Sequence, residues 1–221
     1  MALGLSLKVA AVATLCSLPF ALAVAYVLAR GRFWGKQLLN GLVHLPLILP
    51  PVVTGYLLLA AFGRKGVLGG FLADHFGLVF AFRWTGAALA AAIMGFPLMV
   101  RAMRLAIEAV DPKLEAAAAT LGANRIMVFL TVTLPLILPG VIAGAILAFA
   151  KAMGEFGATI TFVSNIPGQT QTLPSAIYSY LQMPEGEAAA LRLVWISIAI
   201  AFAALVASEA VSRFIARRIA A

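Results

Sequence analysis

Cysteine occurs once in the 221 residues, at Cys16, and only eight residues are acidic. A lone cysteine inside an apolar run excludes a disulfide framework and a thiolate metal site. The two histidines, His44 and His75, stand far apart without a second ligand nearby, which leaves no metal-ligand spacing. His44 reads instead as a satisfied interior side chain. Charge of either sign is scarce, at 11% of the chain, too little to cover a soluble domain of this length. Also missing is the pattern Gly-x-x-x-x-Gly-Lys-[Ser/Thr] that cradles nucleotide phosphates. If ATP drives any activity here, another chain must bind it. What is present is apolar: 63% hydrophobic residues and a mean hydropathy of +1.05. That composition defines an integral membrane protein.

A bilayer core about 30 Å thick needs roughly 20 apolar residues per helix, and long uncharged runs favour helices over the short alternating strands of a barrel. Five segments are long enough to cross, at residues 5–29, 38–62, 85–100, 136–156 and 193–214. The third is short unless it borrows from its flanks. The first is too long for a signal-peptide core and lacks a cleavage site, so it is kept as a span. The formal charge of +8 does not point to nucleic acid, because the basic residues cap apolar segments instead of lining one polar face. They orient the chain. One set of connections carries Arg30, Arg32 and Lys36, then Arg101, Arg104, Lys113 and Arg125, then Arg213, Arg217 and Arg218. The other carries Arg64, Lys65, Arg83 and Arg192, offset by Asp74, Glu185 and Glu187. The richer side is expected in the cytoplasm, with the N-terminus outside and the C-terminus inside. No internal repeat, low-complexity tract or soluble domain is visible, so residues 1–221 read as a single membrane domain.

Residues 63–84 read as an outer loop with a short apolar piece at 78–82. Residues 157–191 form a longer outer segment, with a Pro167-Gly168 turn and a short helix expected at 173–181. In the second span, Pro46, Pro50 and Pro51 each remove a helix hydrogen bond and crowd the preceding turn, so that span is expected to be kinked.

The most informative stretch is 114–135, LEAAAATLGANRIMVFLTVTLP. An alanine-rich helix former runs into a Gly-Ala-Asn break and then into Leu-Pro, where an apolar helix is expected to start at Pro135. Between two spans, such a helix–turn–helix is a rigid knob on the membrane surface, suited to docking on a soluble partner. Small alanines let a helix sit close in a groove, and Gly122 permits a sharp turn.

This spacing resembles the Glu-Ala-Ala coupling motif of ATP-binding-cassette (ABC) importer permeases. Counting back from Gly122 places the alanine pair on Ala117 and Ala118, and Glu115 falls one position upstream of the commonest form. The resemblance continues in residues 44–59 (HLPLILPPVVTGYLLL), 96–115 (FPLMVRAMRLAIEAVDPKLE) and 154–178 (GEFGATITFVSNIPGQTQTLPSAIY). The last block is similar to the molybdate branch, with sulfate permeases as near relatives. The resemblance implies an all-α polytopic fold of the type I importer class, with about five transmembrane helices and a cytoplasmic coupling loop at about 101–135. It implies Glu115, Ala117, Ala118, Gly122, Ala123 and Pro135 as the coupling residues. A second copy of the chain, two cytoplasmic ATPase subunits using ATP and Mg, and an external molybdate-binding protein are the partners it implies. The setting would be a bacterial inner membrane, with no cofactor on this chain.

Lys151 and Glu155 are spaced to share a helix face near the outer end of the fourth span, where ionisable groups mark functional sites by default. They read as a gate-region pair beside an anion path or, more simply, as a snorkelling lysine with an interfacial glutamate. Lys8 reads as an interface anchor. Thr54, Thr159 and Thr161 offer hydroxyls to a passing oxyanion, although membrane threonines more often bond backbone. Two rival classes are weaker. An intramembrane enzyme needs paired carboxylates or a nucleophile–base set, and Glu155 stands alone. A passive channel has no use for a docking knob. Molybdate is the expected cargo, with sulfate, tungstate or another tetrahedral oxyanion as the alternative.

Overall fold

The computed structural model describes residues 1–219, with side-chain surroundings defined for all of these except 204, 205 and 207–219. Arg213, Arg217, Arg218 and the end of the fifth expected span therefore lie outside the described side chains.

Helix α1 (Ala2–Arg30) is 29 residues long and buries a stripe of mostly small side chains from Ser6 through Ala13 and Ala21 to Leu28. That stripe lies against α5 (Trp84–Ala109), whose buried face is also small, with Ala87, Ala90, Ala91 and Gly95. Without a hydrophobic driving force between helices in lipid, small residues gain contact by letting backbones approach. The third expected span thus borrows from its C-terminal flank and becomes 26 residues.

The second expected span is not one kinked helix. It is α2 (Lys36–Ile48) followed by α3 (Pro51–Phe62), bent by 113°. The break falls at Leu49-Pro50, because a residue before proline is pushed out of the helical region. Leu49 at ψ 142 and Pro50 at ψ 134 both precede a proline and are extended. Pro51 then takes the first position of α3, where its missing N–H costs nothing. Pro46 stays inside α2.

The expected outer loop at 63–84 contains a further helix, α4 (Val67–Phe76), closed by Gly77 at φ +65. Beyond α5 come α6 (Pro112–Thr120) and α7 (Arg125–Val128), then a π-helical turn (Phe129–Thr133) and α8 (Leu134–Met153). The last three form one continuous rod, Arg125–Met153. The apolar helix therefore starts at Arg125, not at Pro135. Asn124 caps it by accepting from the Met127 N–H at 2.8 Å, and the wider π turn immediately before α8 absorbs the proline. Short helices α9 (Gly157–Val163) and α10 (Leu173–Leu181, the helix expected there) lead to α11 (Glu187–Ile219).

Among the described residues, α1, α5 and the Arg125–Met153 rod are each long and apolar enough to cross a membrane, and the bent α2–α3 pair reaches that length and hydropathy only when its two helices are taken together, as a broken span or a re-entrant loop. Two buried clusters divide the bundle along α5. Around its N-terminal half, Val9, Leu58, Met94, Ala158 and Phe162 pack together. Around its C-terminal half, Leu28, Met103, Ile107 and Ile137 pack with Leu39 and Val43 of α2. The bent pair therefore packs α2 against one cluster and α3 against the other.

Candidate functional site

The knob beyond α5 is built from backbone outward. Asp111 caps α6 by accepting from the Lys113 N–H at 2.9 Å, with Pro112 at the first helical position. Its other end closes in a Schellman arrangement: the Ala123 N–H donates to the Ala118 carbonyl at 3.3 Å and the Gly122 N–H to that of Ala119 at 3.0 Å. Gly122 has φ +89, and a Cβ there would meet nothing within 4 Å. The glycine is required by its backbone angle alone. Two caps over nine residues make a stiff element from a segment too short to be helical on its own.

The knob's outward face is apolar. Leu121 is 89% exposed and Ile126 72%, with Leu114 and Met127 about half exposed. Ala117 is exposed beside them, and Ala118 and Ala123 are half-buried. Pro135 is exposed and sits ten residues along the Arg125–Met153 rod; it is not part of the turn.

Glu115 faces the bundle instead of the knob's free surface. Its Oε1 lies 3.3 Å from Nη2 of Arg30 at the end of α1 and accepts from the Thr133 hydroxyl at 2.8 Å. Thr133 closes the π turn and is 1% exposed. Arg30 also donates to the Val110 carbonyl, at 3.0 Å. One carboxylate thus ties α6 to the end of α1 and to the elbow of the α7–α8 rod. Sequence reasoning singled out Glu115 but missed Arg30 and Thr133 as its partners. Arg30 had been counted only as a topology charge.

The other group lies where α8 gives way to α9. Lys151 Nζ is 2.8 Å from Glu155 Oε2, the sharing of one helix turn that the spacing implied. Glu155 is buried, at 2% exposure, and its Oε1 accepts from the Ala158 N–H at 3.0 Å. The carboxylate fills the N-terminal end of α9, where peptide dipoles favour a negative charge. Thr161 donates to the Gly157 carbonyl at 2.8 Å, bonding its own backbone. Thr54 and Thr159 are buried, at 5% and 3% exposure, on α3 and α9, which pack together. The Thr54 hydroxyl has no hydrogen-bond partner among the described residues. At the far end of the bundle, the Lys8 ammonium stands 3.8 Å over the Trp84 ring, an amphipathic pairing suited to a membrane interface. His44 is held through Nδ1 on the Asn40 carbonyl at 2.8 Å.

A bent helix pair in a bundle packed through small residues, with a capped apolar knob at one end, suits a membrane permease that docks on a soluble partner. The chain belongs to the family of binding-protein-dependent transport system inner membrane components, whose model matches residues 17–220. It is 61% identical over 209 residues to a molybdenum transport system permease protein of Escherichia coli strain K12, covering 95% of this chain and 91% of the relative. The like-named protein of Haemophilus influenzae is 55% identical over 212 residues, covering 96% and 93%. The fold is that of type I ABC importer permeases. A bacterial ABC transporter involved in the import of the acidic polysaccharide alginate superposes with a TM-score of 0.76 at 18% identity, covering 97% of this chain and 78% of that one.

Proposed function

We propose that the chain is the membrane-spanning permease of an ATP-driven importer that carries molybdate inward, working as a pair of identical copies. Identity of 61% to a permease named for molybdenum transport carries the reading. Sulfate, tungstate or another tetrahedral oxyanion is the alternative cargo.

The knob at α6 docks on a cytoplasmic ATPase, one per permease copy, which supplies ATP and Mg; this chain holds neither. Its exposed Leu121, Ile126 and Ala117 form the contact, Gly122 sets its angle, and Glu115 transmits its displacement to α1 and α8. An external binding protein delivers the anion at the opposite end, near Lys8 and Trp84. The N-terminus is then outside and the C-terminus cytoplasmic. Thr54, Thr159, Lys151 and Glu155 stand where α3 and α9 meet the path. They supply hydroxyls and a balanced charge pair, so the chain offers passage and leaves selection to the binding protein. The permease makes and breaks no covalent bond.

Co-purification with the ATPase tests this, followed by measuring which oxyanion stimulates ATP hydrolysis when the binding protein is present. Molybdate should stimulate at concentrations where sulfate does not. Stimulation by sulfate alone would move the assignment to the sulfate branch, and hydrolysis indifferent to any oxyanion would refute the importer reading.

A further inference from the structure

Two cavities follow one another along α2 and α5. Nearer the knob, a cavity of about 320 Å³ is lined by Asn40, His44, Arg101, Arg104, Leu105 and Glu108. Further along α2 and α5, and walled on a third side by Cys16, Ser17 and Phe20 of α1, a trough of about 540 Å³ is lined almost wholly by apolar side chains, among them Leu42, Leu89, Ala92 and Phe96. From Phe96 to Arg101 is five residues of α5, about 7.5 Å of helix rise. The cavity nearer the knob is thus cationic and the one beside it apolar.

The charges are arranged rather than scattered. Arg104 donates to Asn40 Oδ1 at 3.0 Å and to Glu108 at 2.7 Å, which fixes its guanidinium against α2. Arg101, one turn earlier, is exposed and has no ion-pair partner among the described residues. Two guanidiniums against one carboxylate leave the pocket with one net positive charge. Guanidinium groups match phosphate geometry bidentately, and basic pockets between transmembrane helices take acidic lipid head groups.

We propose that this pair of cavities binds one anionic phospholipid, with its phosphate against Arg101 and Arg104 and an acyl chain in the apolar trough. An inorganic oxyanion fits the first chamber but leaves the second unexplained. An apolar helix from a second copy fits the trough but brings nothing for Arg101. A phospholipid with an acidic head group matches both halves. The proposal is independent of which anion is transported.

The test is native mass spectrometry of the permease purified with its ATPase from nanodiscs of equal phosphatidylglycerol and phosphatidylcholine. The wild-type protein should retain phosphatidylglycerol about fivefold over phosphatidylcholine, the effect of ~1 kcal/mol per net basic charge near a membrane surface. Arg101→Gln, at an exposed and unpaired position, should bring that ratio close to one without disturbing the fold. Ala92→Trp, which fills the trough, should reduce retention of both lipids while leaving the basic chamber intact. Equal retention of the two lipids by the wild-type protein, or retention of neither, overturns the proposal. So does displacement of the bound species by millimolar phosphate or molybdate combined with no effect of Ala92→Trp, the signature of an inorganic anion site.

Discussion

Replacing Glu115 with alanine should release the knob from the bundle. In the intact protein Glu115 Oε1 stands 3.3 Å from Arg30 and 2.8 Å from the Thr133 hydroxyl. Both carboxylate and guanidinium are about four-fifths buried, so neither is fully screened. At an effective dielectric of about 20 the bare attraction is on the order of 5 kcal/mol, and desolvation takes back most of it. What remains is a charge-assisted hydrogen bond worth ~1.5–3 kcal/mol, with a further cost for a Thr133 hydroxyl buried without its acceptor. A net loss of about 2 kcal/mol raises the detached population roughly 30-fold. Detachment is visible because a helix of nine residues does not hold its hydrogen bonds alone. Amide exchange over residues 112–120 should therefore accelerate about 30-fold, and transported anion per ATP should fall. Thr133→Val removes only the hydroxyl bond, so ~1 kcal/mol and about fivefold faster exchange are expected. The double variant should be little worse than Glu115→Ala, because both changes break one shared contact. Additive effects, or wild-type exchange and coupling in Glu115→Ala, would sink the idea that this carboxylate is the tie.

Four further outcomes are expected. Gly122→Val should weaken pull-down of the ATPase while leaving membrane insertion intact, since φ +89 costs a β-branched residue ~1–3 kcal/mol; Gly122→Asn should do much less harm. Cysteines at Ala123 and Gln169 should be labelled from the cytoplasm and from outside respectively, and labelling from one side would reject the topology. Glu155→Ala strips the cap from a buried N–H, so thermal unfolding in detergent should show a loss of ~1–3 kcal/mol; an unchanged melting curve would mean water replaces the carboxylate. The permease alone should bind labelled molybdate no tighter than about millimolar, roughly −4 kcal/mol, and Lys151→Met should change transport rate more than anion choice. Micromolar, sulfate-excluding binding would place the selective site in this chain.

Features set by local chemistry were legible in the residues. Pro50-Pro51 cannot sit within one helix, so a disturbance there was assured, though not its 113° size. The short helix at 173–181 and the turn at Gly122 were legible as such, and the structure keeps both. Features set by tertiary contact were not. The Arg125 start was hidden because Leu134-Pro135 looks like a helix opening, and only the π turn before it lets the rod run through. The end of α8 has no proline to announce it; Gly154 is the sole local signal, and Glu155 turns from a lone acid into the cap of the next helix only once the chain is folded. The Arg30–Glu115 contact joins residues 85 positions apart, and no periodicity encodes it.

The break between α2 and α3 packs against the start of α9. Gly157, first residue of α9, lies so close to Pro51, first residue of α3, that an added Cβ would stand 2.8 Å from the proline ring. One turn on, Gly55 faces the Ala158 carbonyl just as closely. Two helix N-termini are thereby brought together, an arrangement that many transporters turn toward an anionic substrate. Here the α9 terminus is already occupied by the carboxylate of Glu155, itself neutralised by Lys151. A passing oxyanion would therefore meet a filled dipole end and a cancelled charge, with the unpartnered Thr54 hydroxyl as the spare donor nearby. A deep anion trap would slow release on every cycle, since each kilocalorie of binding adds about fivefold to the dwell time. On the proposed path, prefilling the dipole with a side chain would leave it polar enough to cross and too weak to hold. Removing Glu155 should consequently tighten anion binding even as it destabilises the helix break, two effects of opposite sign from one carboxylate.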